Sequence, residues 1–286
     1  MNYLSNLNEL VPDNLPLNVL TIAFGLFVGT YGSLIGVGGG FLVVPALLWQ
    51  GASPQQAIGT SLLVVFLNAL SGSISYARKR RIDLHTGILL SVWVFPGALG
   101  GVFLSSMFSA KSFSFAFGFL LLLLSVFLFL RPVGQPEERV LASDTDLGWW
   151  RRRTTRHMPN GNGGTLSYSF HTARGYLLSF LVGFVSSLFG IGGGIIHVPA
   201  MVHFLNFPVH IATATSLFIL AISAGIGAVA HLLLGNVLPV PALLIGAGVV
   251  FGAQLGAYIS PRVHAQWLVR LLSLALVAVS MKLLVL

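Results

Sequence analysis

Two stretches of the chain carry residues that could act on a solute: GVGGGFLVVPA at Gly36–Ala46 and GIGGGIIHVPA at Gly190–Ala200. Each sets four glycines in five positions, with a proline five residues on, in apolar surroundings. Glycine permits backbone angles that other residues avoid, so each cluster can interrupt a helix. A helix that restarts there presents free N–H groups and the positive end of its dipole, which together attract an anion. Helix packing by small residues is the competing meaning. It suits Gly97, Gly100 and Gly101, and also Gly225, Gly227, Gly246, Gly248, Gly252 and Gly256. A dinucleotide loop needs a glycine at the sixth position, where Phe41 and Ile195 stand, and a preceding strand. The candidate solute-binding residues are therefore Gly36, Gly38, Gly39, Gly40 and Pro45, with Gly190, Gly192, Gly193, Gly194 and Pro199.

Polar residues near these motifs extend the candidate site. Thr60–Ser61 and Thr215–Ser216 are matched hydroxyl pairs after each motif. They could donate to a substrate oxygen, or to a carbonyl one turn back in their own helix. Asn68 and Gln254 are lone amides in apolar segments and are expected to face protein or a cavity, because lipid leaves an amide unsatisfied. His197 stands in the second motif where the first has Val43, as a proton-coupling group, a substrate contact or a neutral core histidine. His203, His210 and His231 are scattered without thiolates or nearby carboxylates, so no metal site and no cofactor are expected. The seven acids are Glu9, Asp13, Asp83, Glu137, Glu138, Asp144 and Asp146, none well inside an apolar segment. Cation carriers keep intramembrane carboxylates for their ion. Their absence here suits an anion or a neutral solute, and it removes the constellation an intramembrane hydrolase would need.

The elements that must position these residues follow from composition. The 286 residues are 55% hydrophobic and 8% charged, with a mean hydropathy of +0.89. Soluble domains carry about 25% charged residues. An all-α, polytopic helical membrane protein is expected, with the lipid bilayer as its surroundings. There is no cysteine, which removes disulfides and thiolate chemistry. The opening residues hold no Lys or Arg, unlike the basic region of a cleaved signal peptide, so the first apolar segment reads as a retained helix. The apolar segments predict about eight long spans of ~20 residues plus two short half-helices led by the glycines.

The motifs lie 154 positions apart, and Pro54 maps onto Pro208 at that offset. With one inserted residue, Ala57, Thr60, Ser61 and Leu62 map onto Ala212, Thr215, Ser216 and Leu217, and Gly97, Ala98 and Gly101 onto Gly252, Ala253 and Gly256. This predicts an internal duplication: an N-terminal segment over 1–16, a first repeat over 17–130, a polar Arg-rich loop over 131–173 and a second repeat over 174–286. The loop contains NGNGG at Asn160–Gly164 and reads as flexible. Trp149 and Trp150 beside Arg151 read as an interfacial anchor. The net charge of +8 gathers at segment ends, in Arg78, Lys79, Arg80 and Arg81 and in Arg151, Arg152, Arg153 and Arg156. That is a topology signal for cytoplasmic loops, including 131–173, rather than a nucleic-acid surface. If the short pieces help to cross, each repeat has five passes and the two are inverted. If they re-enter, each has four and the two are parallel. Arg262 and the Lys/Arg-free N-terminus favour inversion.

Two GxGGGxxxxP motifs on a duplicated apolar chain of this length resemble the sulfite exporter TauE/SafE family, also called the toluene-sulfonate uptake permease family. The resemblance covers nearly the whole chain. It implies a bacterial plasma-membrane transporter of sulfur-containing anions such as sulfite, sulfoacetate or sulfonates, with the ten motif residues above as its signature positions. The long Arg-rich loop is larger than the resemblance leads one to expect. The mechanism implied is alternating access around an oxyanion held between the halves. No ATP-binding motif is present, so transport would be secondary or facilitated. An anion channel and a non-transporting membrane assembly protein are the alternatives. Helical packing leaves a homodimer open.

Overall fold

A computed structural model describes residues 15–130, 153–159, 165–263 and 265–285. Most of the N-terminal segment and the Trp149–Trp150 anchor lie outside the described residues. The first half holds helices α1 (Leu15–Ile35), α2 (Gly40–Trp49), α3 (Pro54–Arg78), α4 (Leu84–Ser105) and α5 (Ala110–Leu130). A hairpin of β1 (Arg153–Pro159) and β2 (Thr165–His171) follows. The second half holds α6 (Thr172–Phe189), α7 (Gly194–Phe204), α8 (Val209–Leu233), α9 (Pro239–Ile259) and α10 (Ala265–Val285). Among the described residues, seven helices (α1, α3, α4, α5, α6, α8 and α9) are long and apolar enough to cross a bilayer. α10 is also 21 residues long, with a shorter apolar part at Leu272–Leu284. The protein is a polytopic helical membrane protein.

Local chemistry sets the helix starts. Ser53 caps α3 in a reciprocal capping box with Gln56, and Pro54 takes the first turn, where its missing N–H costs nothing. Asp83 caps α4 through the Thr86 N–H. The α1–α2 and α6–α7 breaks are glycine-made: Gly36, Gly38 and Gly39 have φ of 83°, 83° and 84°, and Gly190, Gly192 and Gly193 have 70°, 78° and 75°. Side chains avoid this left-handed region.

Helix directions follow from the contacts. α1 runs parallel to α9, since Gly25 meets Ile245 and Gly29 meets Val249. α4 runs parallel to α6, with Gly97 on Phe180 and Gly101 on Phe184. In both pairs a glycine lets the backbones touch, as expected for Gly97, Gly101, Gly248, Gly252 and Gly256. α3 and α8 are antiparallel, pairing Gly59 with His231 and Gly72 with Leu217. α5 and α10 are antiparallel too, with Gly118 beside Leu284 and Ser125 Oγ bonded to Ser273 O. α3 forms the centre: 72% of its apolar window is buried, against 33% for α1 and for α5. Phe103, Phe129, Phe251 and Leu233 stand on the outside, as a lipid-facing surface requires. Gln254 is exposed as well, contrary to expectation. α9 buries the stripe Gly248, Val249, Gly252, Ala253 and Gly256, and position 254 falls off it.

The basic residues separate by end. Lys79 Nζ donates to Ala257 O, and Lys79 and Arg262 both lie over the Tyr258 ring. These contacts gather Arg78–Arg81 and Arg262 at one end of the bundle. Lys282 lies 3.7 Å from the Trp49 ring at the opposite end.

The hairpin departs from the all-helical, flexible-loop expectation. β1 and β2 pair antiparallel from Arg153↔His171 to Pro159↔Thr165. Tyr168 and Phe170 are buried on one face against Met201, Leu205, Phe207 and Ile211. That contact fixes the hairpin over the end of α7 and the start of α8. Alternation in TLSYSFH provides the buried face.

Candidate functional site

The two glycine loops meet inside the bundle. Gly38 and Gly192 both border Val65 and Leu220, in the middle turns of α3 and α8. A Cβ on Gly40 would lie 2.6 Å from Gly190 O. One on Gly194 would overlap Gly36 O. Each loop therefore passes the other at backbone contact, which glycine alone allows. All eight motif glycines, Pro45 and Pro199 are buried.

Beyond each loop a half-helix begins. The N–H groups of Gly40 and Phe41, and of Gly194 and Ile195, fall in first turns and have no intrahelical acceptor. Pro45 and Pro199 lie inside α2 and α7, where each removes one further helical bond and frees the carbonyl four residues back.

The matched hydroxyls bind neither their own helices nor an open cavity; they tie the halves together. Ser61 Oγ donates to Gly190 O at 2.8 Å, and Ser216 Oγ to Gly36 O at 3.3 Å. Thr60 Oγ1 accepts from Leu238 N at 2.9 Å, and Thr215 Oγ1 from Asp83 N at 3.1 Å. Each pair thus holds the other half's glycine loop and the start of α9 or α4. Asn68 braces the first loop: it accepts from Ser33 Oγ at 2.9 Å and donates to Gly38 O at 2.7 Å. His197 is 2% exposed, and its Nε2 has no partner.

A small, partly open pocket lies beside the second motif, lined by Ile35, Val37, Val198, Pro199, His210 and Thr213 among others. It brings the end of the first loop, α7 and the start of α8 to one space.

Sequence reasoning missed the role of Asp83. This carboxylate is 1% exposed. It accepts from Tyr168 OH at 2.6 Å, Thr86 Oγ1 at 2.6 Å, Arg156 Nε at 3.1 Å and Arg156 Nη2 at 3.0 Å. Burial pushes its pKa up, but the hydrogen bonds from Arg156, Thr86 and Tyr168 together outweigh that and hold it below the usual carboxylate value. Asp83 is the one acid among the described residues, and it latches the hairpin to the start of α4.

The profile of the sulfite exporter TauE/SafE family matches residues 21–283. The chain belongs to that family. It is similar to a protein of Bacillus subtilis named "Probable membrane transporter protein YunE", 34% identical over 93% of this chain and 96% of the relative. A probable membrane transporter protein of Methanocaldococcus jannaschii is 26% identical over 89% of this chain and 90% of its own length. A plant relative, "Sulfite exporter TauE/SafE family protein 5" of Arabidopsis thaliana, is 30% identical over 29% of this chain and 18% of its own. No solved structure matches the chain. This TauE/SafE member is thus an integral, multi-pass membrane transporter and not an enzyme, and its two glycine loops meet inside the helix bundle.

Proposed function

We propose that the protein is a secondary or facilitative carrier of small anions, with sulfur-containing oxyanions or organosulfonates as substrates. One observation carries the reading: two glycine-led half-helix N-termini converge between α3 and α8, and among the described residues no carboxylate stands beside them. Free N–H groups and two positive dipole ends favour negative charge. Buried non-helical backbone at this depth is tolerated where protein encloses it or a solute path runs. The substrate class also draws on the family description and the plant relative's printed name.

In this reading the repeats 17–130 and 174–286 are inverted copies that rock against each other about the crossed loops. The antiparallel α3–α8 and α5–α10 pairs support inversion. The basic end, with Arg78–Arg81, Arg156 and Arg262, is cytoplasmic in the plasma membrane, following the positive-inside rule. The site comprises the motif glycines with Pro45, Pro199 and His197. Thr60, Ser61, Asn68, Thr215 and Ser216 act on the solute through the loops they hold.

The test is a panel of sulfite, sulfate, thiosulfate, sulfonates and small carboxylates. It is read as thermal stabilisation of the purified protein and as flux in proteoliposomes. Saturable flux of a sulfur oxyanion is expected, and it should be lost in Gly39→Leu and Gly193→Leu with insertion retained. Absence of any anion flux from the wild type refutes the reading. Large, non-saturating currents would make the protein a channel instead.

A further inference from the structure

The central contacts repeat between the halves except at one place. In the first half Ser33, Asn68 and Gly38 O satisfy one another behind the glycine loop. The register of the motifs sets Gly32 and Ser33 against Ser186 and Ser187, and that of the hydroxyl pairs sets Asn68 against Ser223. The amide is absent from the second half. Ser186, Ser187 and Ser223 are 0%, 0% and 3% exposed, and none of the three hydroxyls has a hydrogen-bond partner. Ser186 Oγ lies 3.1 Å from the position a Cβ on Gly193 would take, at the N-cap of α7. Ser187 Oγ lies 3.3 Å from the corresponding position on Gly227, one turn along α8 from Ser223.

Buried hydroxyls without partners forfeit the hydrogen bonds they made in water. Ser186 stands at the N-terminus of α7, and the register with Ser33 and Asn68 sets Ser187 and Ser223 beside each other behind the same loop; together they call for an acceptor. Their donors, with the free N–H groups of α7, suit a ligand carrying several acceptor oxygens and negative charge. The equivalent place in the first half is filled by protein, because the Asn68 amide supplies the acceptor for Ser33.

We propose that Ser186, Ser187 and Ser223, with the N-terminus of α7 at Gly193–Gly194, form a single asymmetric subsite for one small oxyanion, while Asn68 occupies the matching space in the first half. This rests on the anion-transport reading and locates its ligand. One oxyanion is then bound per chain, not two, and a halide with no array of oxygens binds more weakly than sulfite or sulfate.

Ser223→Asn supplies the second half with the missing amide. The purified full-length protein is melted with sodium sulfite, sodium sulfate or sodium chloride, and sulfite uptake is followed in proteoliposomes. Ser223→Asn, whose amide meets the Ser186 side chain where the first half has Gly32, is expected to melt no higher than wild type without anion, and to lose sulfite affinity by about tenfold or more. Ser186→Ala removes a donor without filling the space; it is expected to weaken binding by several-fold and decides the matter alone if Ser223→Asn fails to insert. Wild-type affinity and flux in Ser186→Ala, together with any inserted Ser223→Asn, would overturn the subsite and leave anion transport standing. A wild type that neither binds nor moves any anion would overturn both.

Discussion

Gly40→Ala isolates the contact between the two glycine loops. Gly40 is the first residue of α2 and has no positive φ, so alanine brings no backbone strain of its own. The cost is steric. The new Cβ would lie 2.6 Å from Gly190 O and 2.9 Å from Ile191 C and Cα, where ordinary contact begins at 3.4 Å. All three atoms are backbone, so no rotamer change relieves the clash and the loops must part by most of an ångström. Overpacking costs about 1–3 kcal/mol. The Ser61–Gly190 hydrogen bond at 2.8 Å stretches with the loop, adding about 1 kcal/mol. At about 2–4 °C per kcal/mol for a chain of roughly this size, the apparent melting temperature should fall by roughly 4–16 °C. Size-exclusion of heated, fluorescently tagged protein in detergent measures this, and solute flux should fall with it. Gly51→Ala is the control. Its φ is 87° and nothing lies within 4 Å of a Cβ there, so it pays only about 1–2 kcal/mol of left-handed strain and keeps flux. If Gly40→Ala melts within about a degree of wild type with flux intact, the loops do not touch as described.

The inter-half hydroxyls should rank by geometry. Ser61→Ala removes a buried 2.8 Å bond to Gly190 O and should cost about 1–3 kcal/mol, while Ser216→Ala removes a 3.3 Å bond and should cost about 1 kcal/mol or less; equal melting temperatures would count against the reciprocal tie. Asp83 makes hairpin docking pH-dependent in one direction. Its folded-state pKa is depressed, so its contribution is present above the ordinary carboxylate value of about 4 and lost as pH falls through the depressed one. Amide-exchange protection of β1 and β2 should therefore be flat between about pH 6 and 8 and fall only in acid; loss of protection near neutrality would contradict the assignment. Asp83→Asn should expose the Arg156–Ser167 region to protease at neutral pH, because it removes the charge that pairs with Arg156; unchanged clipping would show that the apolar contacts of Tyr168 and Phe170 hold the hairpin alone.

The helices and the glycine breaks were legible because their signals are local. Apolar run length sets the spans, and a cluster of glycines can be spaced for little else than a break. The fixed offset between the halves sets Ser61 opposite Ser216. What those residues bind was not legible. Ser61 reaches a carbonyl 129 positions away and Ser216 one 180 positions away, and no local pattern encodes such a pairing. The hairpin carries one local signal, the alternation in TLSYSFH. Its arginines fit the pattern of a cytoplasmic loop equally well. Asp83 was legible only as an acid outside the apolar segments and not as a cap or a latch, because Arg156 and Tyr168 lie 73 and 85 positions on. The loss of the Asn68 amide from the second half was legible in the register, where Ser223 stands against Asn68.

The two hydroxyl pairs do the same work at opposite ends of the bundle, with one difference. Thr60 holds the start of α9 while its neighbour Ser61 holds the second glycine loop; Thr215 holds the start of α4 while Ser216 holds the first. Each pair links a helix entry at one end to a loop at the centre, so a shift of α4 against α8, or of α9 against α3, is felt at the loops. At the α9 entry the bonded residue is Leu238, which has no charged group to anchor. At the α4 entry it is Asp83, and the hairpin is fastened to that same residue through Arg156 and Tyr168. Movement at the basic end must therefore either carry the hairpin along or break its bonds to Asp83. Among the described residues no such brace stands at the other end, so under the alternating-access proposal the two openings differ in energy.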